Sequence, residues 1–184
     1  MKRNRSFFFR QNATYFLTTT ITEFTKIFDI PDLAEILIRT INFYREKFCV
    51  KMHAFVIMPN HIHLLLTMGN IRTVSELMGR VKEYSAKEIV KWCQNNRRDD
   101  LLHIFQKSAK KYITRHEYQV WQRRFDDLII DNDNTFNIKM DYIHGNPLQE
   151  HWKLAATPEE YPLSSAKFYF LGEETVIPIS YMDE

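Results

Sequence analysis

Apolar and polar residues recur along this chain with two periods, and the switches between them divide it into elements. Tyr15-Phe-Leu-Thr-Thr-Thr-Ile-Thr22 is rich in β-branched and aromatic residues and predicts a first strand. Asp29 and Pro31 then open a helix whose apolar positions, Leu33, Ile36, Leu37, Ile41, Tyr44 and Phe48, follow a helical stripe. Val50 to Met58 predicts a second strand, with Ala54, Val56 and Met58 on one face, and His61 to Thr67 a third. Pro59-Asn60 supplies turn chemistry between them, so the two should form an antiparallel hairpin. Thr73-Val-Ser-Glu76 is a capping box. The helix behind it turns Val74, Leu77, Met78, Val81, Ile89 and Trp92 inward and carries Arg80, Tyr84, Lys87 and Lys91 on its other face. Residues 107–124 read as irregular or partly extended, and Asp127–Ile130 as a fourth strand. Asp133 or Asn134 would cap a third helix that runs to Gly145 or Asn146 and is closed by Pro147.

The order β-α-β-β-α-β followed by a helix is the ferredoxin-like split βαβ pattern of an α+β fold. It predicts a four-stranded antiparallel sheet with helices on one face and a third helix beyond them. With 184 residues, 45% of them hydrophobic and only four glycines, the chain reads as one domain rather than a repeat array or a disordered segment. Residues 1–147 would form the main unit, and 148–184 a mostly irregular extension packed on it. The apolar runs are too short for a membrane span, and the N-terminus lacks a signal-peptide pattern. Cys49 and Cys93 match no zinc or redox spacing, so a reducing cytoplasm is expected.

Charge adds an asymmetry. From residue 148 onward seven acids face two bases, so the net charge of +2 divides into −5 for that tail and +7 for residues 1–147. The basic side is densest at Lys107, Lys110, Lys111, Arg115, Arg123 and Arg124, against the single acid Glu117. Such a surface attracts polyanions, although charge runs are common on solvated faces.

The chemistry concentrates in two places. In Met58-Pro-Asn-His61-Ile-His63-Leu-Leu-Leu66, strand alternation puts His61 and His63 on one side and Ile62, Leu64 and Leu66 on the other. Two imidazoles so placed can reach one divalent cation, or they are a pair of histidines on a wetted face. A histidine-triad hydrolase would need a third alternating histidine, and that position is Leu65. In the third helix Tyr142 and Asn146 stand one turn apart, opposite Phe136, Met140 and Ile143. Tyr142 is either amphipathic filler or a nucleophile that needs a Lewis acid beside it.

Together, Pro59-Asn-His61-Ile-His63-Leu-Leu65, Trp121-Gln-Arg-Arg-Phe125 and Tyr142-Ile-His-Gly-Asn146-Pro147 resemble the single-tyrosine transposases of the HUH endonuclease superfamily. Within it, the chain is most similar to the insertion-sequence and REP-associated tyrosine transposases, and Tyr15-Phe-Leu-Thr and Tyr161-Pro-Leu-Ser-Ser165 fit that branch. The resemblance implies that His61, His63 and Asn146 hold Mg²⁺ or Mn²⁺ and that Tyr142 is the nucleophile. It implies cleavage of single-stranded or hairpin DNA with a 5′-phosphotyrosine link and a free 3′-hydroxyl, without a nucleotide cofactor. Relatives include homodimers whose tyrosine helix serves the partner's histidines and proteins that act as monomers. A hairpin DNA-binding protein without turnover is the alternative. Arg80, Lys87, Lys91, Lys107, Lys110, Lys111, Arg115, Arg123 and Arg124 are candidate phosphate contacts, and Trp121, Tyr112, Tyr118 and Phe125 candidate stacking surfaces, although burial in the core is the commoner fate of each aromatic taken alone.

Overall fold

The computed structural model describes residues 12–69, 72–111 and 117–180. Strands β1 (Thr14–Thr20), β2 (Lys51–Met58), β3 (His61–Thr67) and β4 (Asp126–Ile130) form one antiparallel sheet in the order β2-β3-β1-β4. Helix α1 (Pro31–Lys47) links β1 to β2, and α2 (Val74–Asn95) begins the connection from β3 to β4. This is the split βαβ arrangement that the order of elements predicts.

Strand alternation sorts the two faces. Leu17, Phe55, Ile57, Ile62, Leu64 and Leu66 point one way and join Leu33, Leu37 and Ile41 of α1 and Leu77, Met78 and Val81 of α2 in the larger core. Ala54, Val56, Met58 and Leu65 point the other way, against Phe136 and Ile143 of α4 (Asp133–Gly145). The tyrosine-bearing helix therefore covers the face opposite α1 and α2. His61 and His63 share the parity of Leu65, so they open toward α4.

The β2–β3 hairpin closes over Pro59-Asn60, with Met58 paired to His61. That turn is tied down by the chain after β1: Pro59 O accepts from Ile27 N (2.9 Å) and Phe28 N (3.0 Å), and Asn60 O from Ile21 N (2.8 Å). Gly69 follows β3 where a Cβ would come within 2.7 Å of Cys49 O, a close approach that requires glycine.

Two expectations need correction. Residues 99–110 are helix α3 (Asp99–Lys110), so Lys107 and Lys110 are helical rather than in an irregular run. Its stripe, Leu101, Phe105 and Ala109, is buried, and Asp99 and Asp100 at the start with Lys107 and Lys110 at the end complement the helix dipole. Helix α4 is capped one residue earlier than expected, by Asn132, whose side chain accepts from Thr135 N at 2.8 Å. The tail is mostly irregular, as the sequence suggests, and hydrogen bonds fix it to β2. Leu163 O accepts from Ile57 N (2.8 Å), Ser165 N donates to Phe55 O (3.0 Å) and Ser180 N to Met52 O (2.7 Å). Tyr161 Oη donates to Ile57 O (2.8 Å) and Tyr169 Oη to His53 O (2.7 Å). These bonds occupy the outer edge of β2, and a short helix α5 (Ala166–Leu171) follows, ended by Gly172 at φ +72°.

Candidate active site

The period of two that buries Ile62, Leu64 and Leu66 sets His61 and His63 side by side, with ring centroids 4.8 Å apart. His63 is 4% exposed, and its ring stacks on Phe16 of β1 at 5.4 Å. Tyr142 stands above it on α4, its ring 5.1 Å from that of His63 and 5.9 Å from Phe16, and it is 42% exposed. The phenol thus reaches solvent at the mouth of a site whose floor is buried.

Each imidazole is fixed by one nitrogen. His63 Nδ1 lies 2.8 Å from Thr18 Oγ1 across the β1–β3 pairing. His61 Nδ1 lies 2.7 Å from Asn60 Oδ1, and Asn60 Nδ2 donates to Phe24 O at 3.0 Å. The second contact decides the first. A carbonyl only accepts, so the Asn60 amide must turn its NH₂ toward Phe24 and its oxygen toward His61. His61 therefore carries its proton on Nδ1 and keeps the Nε2 lone pair. Burial lowers His61 to about 4, helped by the charge of His151, and lowers His63 to about 3, helped by His61 and Lys139. Both rings are neutral at physiological pH, the state in which an imidazole ligates a metal.

Asn146 ends α4 and is 1% exposed. Its Oδ1 and the Nε2 of His63 are both buried without a hydrogen-bond partner among the described residues. Such orphaned polar atoms are uncommon, because an unmet buried polar atom costs roughly 1–3 kcal/mol. Among the described residues no three histidine, cysteine or acidic side chains converge on a metal position. Two imidazoles and one amide oxygen are the donors that could hold one, and the unpartnered Asn146 Oδ1 and, with the His63 proton on Nδ1, His63 Nε2 fit that use.

The flanks of the site were not legible as such in the sequence. On one side Lys139 Nζ sits 4.7 Å over Phe16 and 5.7 Å over Tyr142. On the other, Trp152 lies 5.9 Å from His61, with Lys26 Nζ 5.3 Å over its ring. His144, to which the sequence assigns no role, is buried and meets Ser165 Oγ at 2.9 Å, tying the tyrosine helix to the tail.

The candidate DNA contacts are not brought to this site together. Arg80, Lys87 and Lys91 stand on α2, on the opposite face of the sheet, and Arg80 and Lys87 both pair with Glu83, at 3.2 and 2.7 Å. Lys107 and Lys110 are on α3, and Lys111 pairs with Glu23 at 2.6 Å. Arg115 and Tyr112 lie outside the described residues. Trp121 is a core residue rather than a stacking surface. It is 4% exposed, its Nε1 donates to Ser85 Oγ at 3.0 Å and its ring lies 5.8 Å from Phe28. Tyr118 and Phe125 also pack against the core. Arg123 and Arg124 are exposed on a loop that Lys82 gathers from α2, its Nζ donating to Gln122 O (2.6 Å), Arg123 O (3.3 Å) and Arg124 O (3.4 Å).

The family described as "Transposase IS200 like" matches residues 10–146, a span that contains both histidines, Tyr142 and Asn146. The chain belongs to that family. A Haemophilus influenzae protein named for the REP-associated tyrosine transposases is 26% identical over 161 residues, 85% of this IS200-like chain and 81% of its own. In fold, the chain is similar to a REP-associated tyrosine transposase solved bound to a REP hairpin. The TM-score is 0.65 at 16% identity, over 100% of this chain and 94% of that one. No described helix is long and apolar enough to cross a membrane.

Proposed function

We propose that this IS200-like transposase is a REP-associated enzyme that cleaves and rejoins single-stranded DNA at hairpins, with Tyr142 as nucleophile and Mg²⁺ or Mn²⁺ held by His61, His63 and Asn146. The observation that carries the reading is the placement of an exposed phenol 5.1 Å, ring to ring, from a histidine whose buried Nε2 has no partner among the described residues. When bound there, the metal supplies Lewis-acid polarisation of the scissile phosphate.

The residues divide the remaining work. A phenol is a poor nucleophile while protonated, so Tyr142 gives its proton to solvent as its oxygen bonds to phosphorus. The P–O3′ bond breaks, the 3′-oxygen takes up a proton, and the 5′-phosphate stays on the tyrosine. The reverse step, with another 3′-hydroxyl, rejoins the strand without ATP, because the phosphodiester energy is kept in the covalent link. Thr18 and Asn60 hold the imidazoles in one orientation each, and Phe16 packs beside both His63 and Tyr142. A site of neutral imidazoles and an amide carries no negative charge of its own to repel the strand.

The test is incubation with labelled hairpin DNA carrying single-stranded flanks, plus Mn²⁺, followed by a denaturing gel. Wild type should give a covalent adduct and Tyr142→Phe none, with hairpin binding within a few-fold of wild type. An adduct formed by the phenylalanine variant would assign the nucleophile elsewhere.

A further inference from the structure

The rings around the histidine pair form a row. It runs from Trp152 to His61 (5.9 Å), to His63 (4.8 Å), and on to Tyr142 (5.1 Å) and Phe16 (5.4 Å). A lysine stands at each end, Lys26 over Trp152 at 5.3 Å and Lys139 over Phe16 at 4.7 Å. Neither lysine is ion-paired among the described residues, whereas Arg80, Lys87 and Lys111 are each matched to a carboxylate. An ammonium on a ring face keeps its direction through cation–π attraction and still has its three N–H donors for an anion.

We propose that Lys26 and Lys139 bind the backbone phosphates on either side of the one that reacts, so that an unpaired DNA strand lies along the ring row with a cation at each end. This rests on the reading of Tyr142 and the histidines as a strand-cleaving centre and adds two phosphate subsites to it. The ligand class is single-stranded nucleic acid read through its backbone, because an ammonium meets a phosphate as a point charge and such contacts carry no base sequence. The subsites also explain where the strand's charge is met close to the site. The α2 bases stand on the far face of the sheet, whereas Lys26 and Lys139 adjoin the histidines and Tyr142. Lys139 is one turn before Tyr142 on α4, so the phosphate it holds is positioned by the same helix as the nucleophile.

Binding can be read without chemistry, in EDTA and on a Tyr142→Phe background. Fluorescence anisotropy is measured over a salt series with two probes. One is a hairpin bearing a single-stranded flank across the cleavage position, and the other is the same hairpin trimmed flush. Lys26→Gln and Lys139→Gln should each flatten the log–log salt slope on the flanked probe by about 0.7, the contribution of one single-strand phosphate, and leave the flush probe unchanged. Lys26→Arg and Lys139→Arg should keep the parent slope, and thermal melting shows that each variant folds. An unchanged slope on the flanked probe, or equal changes on both probes, overturns the proposal. Because no cleavage is needed, this outcome is separate from the adduct gel: the subsites can fail while Tyr142 stands, and the reverse.

Discussion

Thr18 Oγ1 meets His63 Nδ1 at 2.8 Å across the β1–β3 pairing, and the opposite nitrogen of the same ring is buried with no partner among the described residues. A hydroxyl on the neighbouring strand thus decides which way the imidazole faces. Thr18→Val keeps the β-branched shape and removes the hydrogen bond. It should lower Mn²⁺ affinity about 10–100-fold, the usual loss when a metal-bound histidine loses its outer partner. Isothermal titration calorimetry measures this, and an unchanged affinity would dismiss Thr18 as an orienter.

Asn60 has the same task for His61, with a stricter logic, since the Phe24 carbonyl fixes its amide. Asn60→Asp can still accept from His61 but can no longer donate to Phe24, and its charge sits where it is 8% exposed. Asn60→Asp should therefore cost more stability than Asn60→Ser, by about 1–3 kcal/mol, because a buried charge needs a partner. Urea unfolding of the two variants gives the comparison, and equal midpoints would contradict it.

Lys82 is held well below the ordinary lysine range, at about 8, by burial. Between pH 8 and 10.5 the unfolded chain keeps a proton that the folded chain gives up, so stability contributed through this group rises with pH across that window. Lys82→Met removes the effect. The difference in unfolding free energy should shift toward wild type from pH 8 to 10, with a slope no steeper than about 1.4 kcal/mol per pH unit. A difference that stays constant with pH would show that Lys82 does not titrate in this range.

His144 gives a dependence of the same sign, at acid pH. Burial lowers it to about 4, so between pH 6.5 and 4 the unfolded chain takes up a proton that the folded chain refuses. Stability through this histidine is intact above pH 6.5 and is lost as pH falls through that window. His144→Gln, which can still reach Ser165, should unfold less steeply with acid than wild type between pH 6 and 4.5. Parallel curves would disprove it.

The parts legible in the sequence are those set by short periods. His61-Ile-His63 could be read because strand alternation needs no knowledge of the rest of the chain, and the Thr73–Glu76 box because it is local. Helix α3 is hard to read in the sequence because its buried stripe of Leu101, Phe105 and Ala109 is thin and the basic residues Lys107 and Lys110 give its end the look of an open surface. Trp121 stands beside the polar Gln122, Arg123 and Arg124 in the sequence, and its contacts with Ile21, Phe28 and Ser85, all distant in the chain, bury it. Lys26, Trp152 and Lys139 escaped notice because they meet from distant segments, and no spacing records that they adjoin the histidines.

The bonds between the tail and β2 have a bearing on how such a protein can be shortened. The span shared with the family ends at residue 146, yet Leu163, Ser165 and Ser180 supply the backbone partners of Ile57, Phe55 and Met52. A gene cut back to the shared span would retain every candidate catalytic side chain and still yield a sticky product, with one side of β2 bare to pair with the next molecule. The acidic segment is thus an intramolecular guard against self-association, and its loss should be seen first as aggregation during expression.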